Sequence, residues 1–267
     1  MEKIEKHEVM MFEKISTLIF IMTFGIILSL KMGYAKNIAY KPIEIPTKIK
    51  KLKTIGQIEP FLSSPNEDEK RGAIRRLGQL EDKETIGVLV EVFKKEPYKP
   101  EFEVWPMVKL EIVNALYENG SEEAKLALLD ILNTYLTRGP QGEGERQSGQ
   151  DGDYTSVVGH ILRSFVKWKD DEEVWNTCRK LAFDKNITDW YVRVTAYEVY
   201  LRGKIHRAGI VSLEGNVSYL VSHLTGKSSI LTTEGLKNGA IASILRSYGK
   251  PAIPYLKKEL ESIPPTE

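Results

Sequence analysis

The side chains best suited to chemistry are scattered thinly through this sequence. Its four histidines, His7, His160, His206 and His223, stand far apart. None has a second histidine four positions away, the spacing that sets two imidazoles on one helix face to hold zinc. The single cysteine, Cys178, allows no intramolecular disulfide and no thiolate cluster, and on an apolar helix face it reads as core. Gly226-Lys-Ser-Ser matches the end of a phosphate-binding loop, but Val221 stands where that loop needs its first glycine and the flanks read as helix. The glycines around Gly142 follow no strand, so they make no dinucleotide-binding turn. Carboxylates cluster at Glu67-Asp68-Glu69 and at Asp170-Asp171-Glu172-Glu173, where helices are expected to begin. Complementing the helix dipole accounts for both clusters without calcium or acid catalysis. The expectation is a chain with no catalytic residue, no metal and no cofactor.

Residues suited to contact are easier to find. Trp105, before Pro106, and the pair Trp190 and Tyr191, after Asp189, stand at helix starts, where a ring is often only partly covered. They are candidate partner-binding residues, because aromatic side chains dominate many interfaces. Trp168 and Trp175 read as core. Asn186-Ile-Thr and Asn216-Val-Ser fit the glycosylation acceptor pattern.

The elements that position these residues are helices. Apolar residues recur at helical spacing in Ile86, Leu89, Val90 and Phe93, in Val217, Leu220, Val221 and Leu224, and in Ile253, Leu256, Leu260 and Ile263. Asn66, Ser121 and Thr233 sit where N-caps belong, and Gly120, Gly203, Gly226 and Gly249 where helices should stop. No alternation suited to strands is present. Overlaying the helices brings out a repeat, in KRGAIRRLGQL from Lys70, KLEIVNALYENG from Lys109, VVGHILRSFVKW from Val157, YVRVTAYEVYLRG from Tyr191 and LKNGAIASILRSYG from Leu236. Ala73, Ile112, Ile161, Ala196 and Ala240 become equivalent, and four positions later come Leu77, Leu116, Phe165, Tyr200 and Ile244.

These segments resemble the HEAT-repeat family, especially the short bacterial repeats related to phycobilisome lyases. The run from Ala73 to Phe93 and the Gly249-Lys-Pro-Ala-Ile-Pro-Tyr-Leu run carry the likeness most clearly. The spacings between matches, about 35 to 50 residues, scatter around the family's repeat length. The resemblance covers residues 54–263 and implies an all-α fold, an α-solenoid of about five HEAT-like helix pairs. It also implies a concave face lined by second helices, near which Glu91, Lys94, Lys125, Asn133, Asn176, Arg179, His223 and Lys257 would lie; of these, Arg179 and Lys94 join Trp105, Trp190 and Tyr191 as candidate partner-binding residues. Two interruptions depart from the pattern: a Gly- and Gln-rich insertion at 138–153, read as a flexible loop, and Lys204–Asn216, read as a lengthened turn.

Residues 1–35 read as a signal peptide or membrane anchor. The sixteen residues from Ile15 to Leu30 are apolar and uncharged, short for a spanning helix and suited to a signal-peptide core, with cleavage expected after Ala35. The flank departs from the usual positive charge, since Glu2, Glu5, Glu8 and Glu13 outnumber Lys3, Lys6 and Lys14. Residues 36–53, rich in Lys and Pro, read as an extended linker. The 267 residues are 42% hydrophobic and 28% charged, too apolar for a disordered chain, and a net charge of +1 provides no general attraction for nucleic acid.

The resulting expectation is an exported, non-catalytic scaffold in the periplasm or cell envelope that holds a protein or peptide partner, with membrane contact only through the amino-terminal segment. The lyase relatives imply an alternative, a lyase- or chaperone-like protein acting on a partner protein. A membrane-anchored structural spacer is a third reading.

Overall fold

The computed structural model describes residues 43–80, 82–98, 106–139, 152–184, 186–187, 189–224 and 233–261. The expected leader with its cleavage point at Ala35, residues 36–42 of the linker, Trp105, residues 140–151 of the insertion, the Gly226 turn and Ile263 lie outside them. Among the described residues all regular structure is helical, with no strand. No described helix is long and apolar enough to cross a membrane.

The chain divides into two compact units, with the boundary between Trp168 and Lys169. The first contains α1 (Thr47–Lys50), α2 (Ile55–Leu62), α3 (Glu67–Gly78), α4 (Glu84–Lys95), α5 (Met107–Asn119), α6 (Glu122–Arg138) and α7 (Gly152–Ser164), closed by a 3-10 turn at Phe165–Trp168. The second contains α8 (Glu172–Phe183), α9 (Trp190–Arg207), α10 (Leu213–Ser222), α11 (Thr233–Tyr248) and α12 (Ile253–Glu261), with a 3-10 turn at Lys250–Ala252.

Local chemistry accounts for many helix ends. The Asn66 side chain accepts from the backbone N–H of Asp68 at 2.9 Å and of Glu69 at 3.2 Å, and Ser121 accepts from Ala124 at 3.1 Å. These caps satisfy donors that have no partner inside the helix. Gly120 ends α5 at φ 68°, a left-handed conformation that favours glycine. The Lys167 ammonium donates to the Tyr117 carbonyl there at 2.7 Å.

Packing follows the repeat register within each unit. In the first, α5 lies between α3 and α7, while α4 packs on α6 and each of these pairs with its predecessor in the chain. In the second, α9 packs on α8 and α11, and α10 on α11 and α12. Ala73, Ile112, Ile161, Ala196 and Ala240 are all fully buried, and so are Leu77, Leu116, Phe165 and Ile244. Tyr200 alone of the aligned large residues is half-buried. Small residues beside this register let helices approach closely: a Cβ added at Gly78 of α3 would stand 2.7 Å from the Ala115 Cα on α5. A side chain there would force the two helices apart.

Four readings change. Residues 43–53 are not an extended spacer: Arg75 donates to the Ile43 carbonyl at 2.8 Å, Arg76 to the Leu52 carbonyl at 2.9 Å, and Ile49 is fully buried. Gly203 ends no helix and lies inside α9, where the backbone must pass close to Trp175. Lys204–Asn216 is absorbed by the last turn of α9 and the first of α10, leaving a short connection capped by Ser212. Asp153 leaves the insertion to become a buried residue of α7.

Candidate partner-binding surface

In α8 an apolar stripe and a mixed stripe run side by side. Val174, Cys178, Leu181 and Ala182 face the interior, and burial pushes the Cys178 thiol well above its ordinary range, which leaves it unreactive. Asp171 caps the helix by accepting from Glu173 and Val174, each at 3.0 Å. On the adjoining face Trp175, Arg179 and Phe183 recur every four residues.

Tertiary packing turns this stripe into a patch. A Cβ on Gly203 would come within 2.6 Å of the Trp175 ring, so only glycine lets the indole lie against α9. There its N–H donates to the Tyr200 carbonyl at 3.3 Å, with the Trp175 and Tyr200 ring centroids 5.0 Å apart. Phe183 continues the cluster, edge-on to Tyr197 at 5.5 Å and to Tyr200 at 6.0 Å. Burial first, and the neighbouring Tyr200 and Tyr219 second, push the Tyr197 hydroxyl up to about 12. Two guanidiniums flank the indole: Arg207 at 4.3 Å from its centroid and Arg179 at 5.9 Å. Arg207 is held by Glu172 at 2.9 Å and by the Asp170 carbonyl at 3.4 Å. Arg179 is exposed and has no ion pair among the described residues. Phe183 is 39% exposed and Trp175 half-buried, so apolar ring area and guanidinium charge reach solvent together.

Trp190 and Tyr191 open α9, and Lys94 belongs to the first unit. Trp190 packs over Gly239 of α11, where a Cβ would stand 3.2 Å from the ring, and its indole N–H is buried without a hydrogen-bond partner. Tyr191, beside it in the first turn of α9, is half-buried. Lys94 is exposed on α4 of the first unit and pairs with Glu91 at 3.2 Å. Trp105 lies outside the described residues. Trp175 and Trp168, read as core, are only half-buried, and Trp168 meets Tyr117 edge-on at 6.5 Å. Lys125 is buried and pairs with Glu122 at 2.6 Å, so it is not available on an outer face. Trp175, Phe183, Tyr200 and Arg207 had no place in the expected set. Trp175 and Phe183 flank Arg179 at four-residue intervals, a pattern visible in the sequence; Tyr200 and Arg207 join only through the α8–α9 fold.

The first unit holds a contrasting cluster in its interior. The Lys109 ammonium, on a residue only 4% exposed, donates to Asp153 Oδ2 at 2.9 Å, and the Tyr135 hydroxyl donates to Asp153 Oδ1 at 2.5 Å. The rings of Phe93, Tyr98 and Tyr135 surround the ammonium at 5.8, 5.3 and 5.8 Å. Burial, reinforced by the Asp153 charge, pushes the Tyr135 hydroxyl far above its ordinary range and keeps it a neutral donor. Arg71 pairs with Glu111 at 3.2 Å in the same interior, between α3 and α5. A depression of about 420 Å³ is lined by Gln79, Leu80, Asp82, Lys83, Glu118 and Ser121. Its lining mixes polar and apolar surface, and its one lysine, Lys83, already pairs with Glu123 at 2.9 Å. Among the described residues no three His, Cys, Asp or Glu side chains are placed to hold a metal ion.

No family model, characterised protein or solved structure matches the chain. The functional reading therefore rests on its own residues.

Proposed function

We propose that the chain is an exported, non-catalytic protein-binding scaffold, and that each of its two units is a stretch of HEAT-like α-solenoid. The single observation that carries the binding reading is the arginine-flanked aromatic patch on α8 and α9. Trp, Tyr and Arg are the side chains that contribute most to protein interfaces, and a half-exposed ring held by its neighbours loses little entropy on binding. Support for the HEAT-like reading is the burial of the aligned small and large positions. Support for export is the apolar run from Ile15 to Leu30 ahead of Ala35.

Photocrosslinking in the native host tests the binding reading. A photoreactive residue replacing Arg179 is expected to trap a discrete protein from the envelope fraction, and the same residue replacing Lys94 is not. Trp175→Ala introduced beside the probe should abolish the product. An unchanged product in that variant, or none from position 179, overturns the assignment. Amino-terminal sequencing of the purified protein checks export, with Lys36 expected as the first residue.

A further inference from the structure

The patch also constrains what binds it, an inference that rests on the interface reading above. Trp175, Arg179 and Phe183 are spaced four residues apart on one helix, which sets the Cα atoms of the two aromatic residues about 12 Å apart along α8 with that of Arg179 midway, and both rings rest on Tyr200. The charges around them are unevenly satisfied. Glu172 accepts from both Arg207 and Asn176, the latter at 3.0 Å, so the carboxylate nearest Trp175 is already occupied. Asp170 pairs with His206 at 2.5 Å, and Asp184 accepts from the Asn186 backbone at 2.9 Å. Glu173 is exposed at the start of the helix, with the Asp171 cap beside it. Between the two rings the exposed charges are Arg179 and Lys180, both cationic and both without an ion pair among the described residues.

We propose that this face takes an acidic amphipathic helix, with two apolar anchors over Trp175 and Phe183 and a carboxylate between them on Arg179. A carboxylate is the group whose shape a guanidinium matches with two parallel hydrogen bonds. In a helix, residues at four-residue intervals share a face and repeat at the pitch of α8, so both anchors and the carboxylate reach their partners together.

The test uses the full chain and two fluorescein-labelled, alanine-rich helical peptides with leucines eight residues apart. One carries glutamate midway between the leucines and the other lysine. By fluorescence anisotropy the glutamate peptide is expected to bind at least about tenfold more tightly, with the preference weakening as salt is raised. Arg179→Glu, whose fold is checked by circular dichroism, is expected to reverse the preference. Trp175→Ala should weaken both peptides. Equal binding of the two peptides, lost together in Trp175→Ala, overturns the acidic partner while leaving the interface in place. Binding of neither peptide, or a charge preference unmoved by Arg179→Glu, overturns the proposal outright.

Discussion

Both units place a cation against aromatic rings, and they do so under opposite conditions. In the first, Lys109 is enclosed by Phe93, Tyr98 and Tyr135 and completed by Asp153. In the second, Arg207 and Arg179 lie over a Trp175 ring that is still partly wet. The attraction between charge and ring face is common to both. What differs is the solvent. An ammonium removed from water loses several kcal/mol of hydration, which an ion pair must offset, so the interior cluster needs its carboxylate and becomes a structural tie between α5, α6 and α7. A guanidinium at the surface keeps its hydration and needs no such partner. Arg179 thus keeps its charge open to another molecule, while that of Arg207 is taken up by Glu172.

The comparison breaks most sharply at Asp153. Asp153→Ala is expected to lower stability by roughly 3–5 kcal/mol, since it strands a buried ammonium. The triple variant Lys109→Met, Asp153→Leu and Tyr135→Phe should recover most of that loss, because an apolar replacement of all three partners leaves no buried polar group unsatisfied. Urea unfolding of the three chains checks both statements.

Histidine extends the contrast to pH. Burial, with the Arg163 charge second, holds His160 down at about 4, against an ordinary value of 6.5, while its Nε2 lies 3.1 Å from Asn114 Oδ1. As pH falls from 6.5 the unfolded chain takes up a proton that the folded chain excludes. Stability from this residue therefore declines with acidification by about 1.4 kcal/mol per pH unit, and levels off below about 4, where the folded state is protonated too. Unfolding measured from pH 7 to 4 should show the slope, and His160→Gln should remove that part of it.

Gly203→Ala tests how the outer patch is built. The new Cβ would meet the Trp175 ring at 2.6 Å and the Lys169 carbonyl at 2.8 Å, so a loss of about 1–3 kcal/mol is expected. A red shift in tryptophan emission should accompany it as the indole is displaced. The smallest effects belong to the arginines. Arg207→Ala should cost about 0.5–1 kcal/mol through its ring and Glu172 contacts. Arg179→Ala should cost under about 0.5 kcal/mol of stability, leaving its effect to appear in binding. Equal stability losses for the two variants would erase the distinction between a held cation and an open one.

The part of the fold legible in the sequence was the part made by local forces. Asn66, Ser121 and Gly120 act within a turn of where they stand, so their spacing was enough. Helical periodicity likewise identified the buried register from Ala73 to Ala240, since a face that repeats every turn must find cover somewhere. Gly203 shows where this reasoning stops. A glycine near a helix end reads as a terminator, but here the neighbouring helix needs its missing side chain, and that neighbour's position is not encoded nearby. Trp175 was misread for the same cause: helical spacing assigns a residue to a face, and the packing partner decides how far that face is covered. Of the candidate patch, only Arg179 was anticipated.

Local order thus followed from the chain itself: helices throughout the described residues, several of their boundaries, and which stripe of each turns inward. Tertiary structure alone decided the pairings across long stretches of chain. Lys109 meets Asp153 from 44 residues away, and Arg207 closes over Trp175 from the far end of the next helix. Such contacts depend on where whole helices come to rest, which is set by the summed packing of their apolar faces rather than by the charged residues that the packing brings together.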